Sequence, residues 1–129
     1  MKHKVIINKC YGGVYGLSEI AVKWLYENGT PYMKKYIEEK RKEISKDDYY
    51  KRYDVDRVVA ADIYYDFPRH NLDIVRCVET IGEKANGEYA NLVIVEIEGN
   101  RYKIEEYDGF ERIILPKDEE YITIEEEER

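Results

Sequence analysis

Histidine and cysteine are scarce, at two each in 129 residues, which leaves little material for nucleophilic or metal chemistry. Pairing Cys10 with His70 as thiolate and base needs a third, orienting group that the sequence does not supply. Cys10 and Cys77 lack metal-ligand spacing and read as buried thiols in a reducing compartment, not as a disulfide. Asp54 and Asp56 lie close together, but the glycine and distal Glu of a calcium loop are missing. The expectation is therefore no catalytic residue, no metal and no cofactor. A small hydrolase using Cys10 and His70 ranks last among the readings. Long apolar runs are also missing, as are the charged, apolar and cleavage regions of a secretion signal. A cytoplasmic protein with no membrane partner is expected.

Positive charge is short in the second half of the chain. Residues 1–78 hold 15 Lys/Arg against 12 Asp/Glu, whereas residues 79–129 hold 6 against 16, and the net charge is −7. Duplex DNA, whose affinity comes largely from neutralising phosphates, is disfavoured as a partner. A small anion is not, because a pocket drawing on Arg52, Arg57, Arg69, Arg76 or Arg112 can be locally positive. Phenylalanine and tryptophan are nearly absent, at 2 and 1, while tyrosine reaches 14. A tyrosine has a flat apolar face and a polar tip, which suits an oligomer interface or a base-stacking pocket. It also suits a lightly hydrated core.

The most informative stretch is residues 5–18. Val5, Ile6 and Ile7 form a β-branched strand. Gly12, Gly13 and Gly16 follow, and Ser18 stands as the N-cap of a helix whose apolar face is Leu17, Ile20, Ala21, Trp24 and Leu25. Strand, glycine loop and helix in that order place backbone N–H groups where an anion is favoured. The loop matches neither a Walker A motif nor GxGxxG. The competing reading is a sharp turn that packs Tyr11 and Tyr15 against the body.

Further along, Gly29 ends the first helix, and Thr30 with Pro31 starts another over residues 32–44. Its apolar set of Met33, Tyr36, Ile37 and Ile44 is sparse and its remainder charged, so a projecting helix or a subunit contact is expected. Residues 54–67 are ambiguous between helix and strand. Asn71 caps a helix to Ile81, ended by Gly82. Residues 92–97, 101–106 and 110–115 read as a strand meander with turns at Gly99-Asn100 and Asp108-Gly109, and residues 121–124 as an edge strand. The fold class expected is α+β, with a small, mainly antiparallel sheet of the N-terminal strand and the C-terminal meander packed on helices on one face. The chain reads as a single domain over residues 1–124, with 30–67 as a charged, Tyr-rich insertion and 125–129 as an acidic tail.

Three blocks resemble a family of small, mostly uncharacterised proteins of tailed phages and prophages. Residues 7–18 match its Ile-Asn-x-Cys-Tyr-Gly-Gly-Phe-Gly-Leu-Ser type motif, with Val14-Tyr15 where a single Phe is usual. The other blocks are residues 69–87, and residues 95–97 followed by 104–109. The family's basic, aromatic ending is not found after Asp118. The resemblance implies a phage accessory protein that acts in the host cytoplasm, commonly by binding host machinery or host signals. Combined with the residues, it leads to an expected anti-defence sponge that sequesters a small nucleotide-like signalling molecule without catalysis, as a homo-oligomer. Tyr11, Gly12, Gly13 and Tyr15, with Arg69 and Arg112, are the candidate ligand-binding residues. The alternative is a protein-interaction module that inhibits a host protein.

Overall fold

The computed structural model describes residues 1–118 and Ile124. Among these residues four α-helices and four strands occur in the order β1 (Lys2–Asn8), α1 (Glu19–Asn28), α2 (Pro31–Lys46), α3 (Val55–Asp66), α4 (Leu72–Ile81), β2 (Leu92–Glu98), β3 (Lys103–Tyr107) and β4 (Phe110–Ile114). This is the α+β class expected. The edge strand and acidic tail expected at residues 121–129 lie outside the described residues, Ile124 apart.

Local chemistry sets the helix starts. The hydroxyls of Ser18 and Thr30 accept from the N–H groups of Ala21 and Met33, and the side chains of Asp54 and Asn71 accept from Asp56 and Ile74. Each cap satisfies an N–H that the helix itself leaves without a partner. Residues 54–67, ambiguous in sequence, form α3, with Asp54 as its cap.

The strands differ from the single sheet expected. β1 pairs antiparallel with β2, from Lys2 opposite Glu98 to Asn8 opposite Leu92. β3 and β4 form a separate antiparallel ribbon, joined to the end of β1 by a bridge between Lys9 and Phe110. The turn near Gly99 thus does not fold β3 back beside β2. It carries the ribbon over the other face of β1, where Ile104, Ile113 and Leu115 cover Val5, Ile7 and Ile97. On the opposite face Ile6 joins the helical core with Leu25, Met33, Ile63 and Val75. Covering both faces explains why Val5, Ile6 and Ile7 are all buried. A fully buried Val or Ile contributes about 1.5–3 kcal/mol, so the continuous β-branched run is the chain's central structural member.

The charged helix α2 does not project. Met33 and Ile37 are fully buried and Ile44 nearly so, packed in the main core with residues of α1 and α3. Arg41 makes two hydrogen bonds to Asp56 (2.8 and 3.0 Å), and the Tyr36 hydroxyl donates to Asp66 (2.6 Å). Three apolar positions suffice because polar ties to α3 do the rest, and the region expected as an insertion is integral to the core. The apolar face that motivated an oligomer is thereby covered within the chain. Among the described residues, no helix is long and apolar enough to cross a membrane.

Candidate functional site: an aromatic groove beside the glycine loop

The glycine loop uses its donors internally. Gly12 N–H donates to the Asp108 carbonyl (2.5 Å), Gly13 to Cys10 (3.1 Å) and Val14 to Tyr89 (3.0 Å). Across the same seam Gly87 N–H donates to Gly16 (2.9 Å) and Ser18 N–H to Ala85 (2.9 Å). The loop is therefore zipped to the segment that precedes β2. Gly12 has φ +72°, a conformation that disfavours any Cβ, and a Cβ on Gly13 would collide with the Tyr89 carbonyl oxygen. Gly13 is needed because two backbones meet there, and Gly12 because of its left-handed conformation. The expected phosphate cradle at Gly12 and Gly13 is corrected accordingly, since an N–H bonded to a carbonyl is not available to an anion.

Arg69 is likewise engaged. Its guanidinium bonds both Glu111 oxygens (2.7 and 2.9 Å), reaches the Ile6 carbonyl (3.3 Å) and lies 3.6 Å from the centroid of the Tyr15 ring. Burial acts to lower its pKa, but the Glu111 hydrogen bonds and charge outweigh that, and the net direction is up. Glu111, on β4, also accepts from the Asn8 N–H (2.7 Å), and Asn8 in turn donates to Gly109 and accepts from Asn91. This buried network clamps the ribbon to β1 and to the lead-in of α4. Arg112 is exposed and pairs with Glu105 across the ribbon. Its neighbour Glu111 points inward, and successive strand residues face opposite ways. Arg69 and Arg112 therefore do not converge on one pocket.

What the fold does build is a groove of about 450 Å³ between α3 and the zipped loop. Ala60, Ala61, Tyr64 and Tyr65 form one wall; Val14 to Leu17 and Gly87 to Tyr89 form the other. The small side chains at Ala60 and Ala61 leave the space, and tyrosines surround it. Tyr15 is buried and stays protonated to unusually high pH, its pKa pushed up to about 12 mainly by burial. Tyr64 leans on it with ring centroids 5.5 Å apart, and Tyr65 meets Tyr64 edge-on at 4.8 Å. Tyr65 and Tyr89 are exposed. Arg57 and Glu88 form an ion pair at the rim.

Of the six expected ligand residues, only Tyr15 lines this groove. Tyr11 lies on the ribbon side, stacked 4.4 Å from Phe110. Arg69 does not line the groove and acts on it from outside, against the Tyr15 ring and, at 5.9 Å, the Tyr64 ring. Tyr64, Tyr65 and Tyr89 were not singled out from sequence, although Asp54 followed by Val55, Val58, Val59 and Ile63 at helical spacing contained the signal for α3. Cys10 sits against the glycine loop, whereas His70 bonds Tyr102 and shares a small cavity with His3. Cys10 bonds the Tyr11 carbonyl instead of His70, and no group of three or more potential metal ligands occurs among the described residues. No protein-family model matches the chain, and no curated protein or solved structure matches it either.

Proposed function

We propose that this protein binds, without transforming it, a small planar nucleotide-like molecule in the tyrosine-lined groove, and that as a phage accessory protein it sequesters a host signal in this way. The observation that carries the reading is the groove itself. Its volume falls within the range of small-ligand sites, and its four tyrosines offer ring faces at low conformational cost. The phosphate contact is moved from the glycine loop and Arg69 to Arg57, which has a partner that can be exchanged. A second reading, an inhibitor of a host protein, draws on Tyr11 and Tyr107, both exposed beside Phe110 on the ribbon and outside the groove.

The test uses a variant that fills the groove without entering the core. Ala61 is exposed and lines the groove, so Ala61→Phe is expected to occupy it at little cost to stability. The purified protein is denatured, released small molecules are identified by mass spectrometry, and nucleotides are screened by thermal shift. A ligand found with the parent and lost in Ala61→Phe supports the reading. No released molecule and no nucleotide that raises Tm would refute it in favour of the second.

A further inference from the structure

Resting on the groove reading, we infer that Arg57 sets ligand specificity by exchanging Glu88 for one anionic group. The ligand class is thus a planar base carrying a single phosphoryl group, not a polyphosphate. Arg57 is the cation lining the tyrosine groove, and with Glu88 it also lines an adjoining groove of about 470 Å³. The ion pair therefore stands on the rim common to both. Its side chains are 57% and 55% exposed, so water screens the attraction and giving it up costs little. A ligand phosphate offers the same guanidinium a bidentate partner with more charge.

The adjoining groove limits how far an anion extends. Lys84 is there, but so are Glu19 and Glu83. With Arg57 engaged by the first phosphate, the second groove presents Lys84 against three carboxylates, counting the released Glu88. Further phosphates would enter a net negative surface, in a chain already at −7. A single charged group at the rim is favoured, and a chain of them is repelled.

The experiment is calorimetric titration of the full chain with the four common nucleosides, their 5′-monophosphates, 3′,5′-cyclic monophosphates and triphosphates. The parent is expected to bind at least one monophosphate form about tenfold to a hundredfold more tightly than its nucleoside, and more tightly than the triphosphate. Arg57→Gln should abolish the advantage over the nucleoside while leaving nucleoside binding in place. Glu88→Gln should tighten the monophosphate about two- to fivefold, because the competing carboxylate is gone. Both positions are exposed, and unchanged Tm in each variant checks that the fold is intact. A triphosphate that binds most tightly, or an Arg57→Gln protein that keeps its preference for phosphate, overturns the inference. If nucleoside and monophosphate bind alike and Ala61→Phe removes both, the groove reading stands and the role of Arg57 falls. If none of the compounds binds at millimolar concentration, both fall together.

Discussion

Removing the charge of Glu111 is expected to destabilise the protein by about 3–5 kcal/mol, the range for a buried ion pair that loses one partner. The pair is well placed for such an effect. Side-chain exposures are 16% for Arg69 and 7% for Glu111, so water cannot replace the lost carboxylate charge. Glu111→Gln keeps an oxygen to accept from the Asn8 N–H, and so isolates the ionic part. The guanidinium keeps a neutral Oε1, the Ile6 carbonyl and the faces of Tyr15 and Tyr64, each ring worth about 0.5–2 kcal/mol at most, but it loses the carboxylate charge and its bond to Oε2. A loss of this size is a large fraction of the 5–15 kcal/mol typical of a domain, yet leaves it folded at 25 °C unless the parent is at the low end. Arg69→Met leaves the carboxylate unpaired instead and is expected to cost a similar amount. The double variant Arg69→Met, Glu111→Gln removes both charges, and it should recover most of the loss because neither partner is left ionised in a dry site. Urea denaturation of the four proteins, with m unchanged and the midpoint shifted, measures the cycle. Single costs below about 1 kcal/mol, or a double variant that merely adds them, would show that the clamp is not a coupled buried pair. The same values decide how any binding defect of an Arg69 variant is interpreted, since the residue reaches the groove through the Tyr15 and Tyr64 rings and does not line it.

Two other outcomes follow from packing and burial. Gly13→Ala forces a Cβ into the Tyr89 carbonyl, so it is expected to cost about 2–4 kcal/mol in urea and to loosen the groove wall; a neutral result would mean that the seam shifts freely. Alkaline stability should fall because Cys77 and Tyr15 have folded-state pKa values pushed up to about 12, chiefly by burial, from 9.0 and 10.0. Their contributions are intact below the unfolded values and are lost as pH rises from 9 for the thiol and from 10 for the phenol. By pH 11 the two together remove about 3–4 kcal/mol. Urea midpoints from pH 8 to 11 measure this, with Cys77→Ala and Tyr15→Phe each removing its share of the slope; a flat profile would refute it.

Local signals carried much of the architecture. Val5, Ile6 and Ile7 marked the strand, and Ser18, Thr30 and Asn71 marked helix starts, because a cap or a β-branched run acts over a few residues and is written in those residues. The α+β class followed from their order. Residues 54–67 resisted the same treatment because α3 is apolar toward the core on one side and aromatic toward the groove on another, which blurs its period.

What only the tertiary structure decided was which partner each group takes. Glycines in a strand-to-helix loop permit an anion nest or a close backbone seam, and the choice lay with Tyr89 and Asp108, 75 and 96 residues from their partners Val14 and Gly12. An arginine such as Arg69 can meet a ligand or a carboxylate, and the choice lay with Glu111, at a sequence separation of 42. The sparse apolar face of α2 could have awaited another subunit, but α1 and α3 covered it. The strands of the ribbon could have extended the sheet, but the uncovered side of β1 took them. In each case residues distant in sequence compete for one donor, charge or apolar face. The winner depends on which of them the packed core brings within hydrogen-bonding or van der Waals reach.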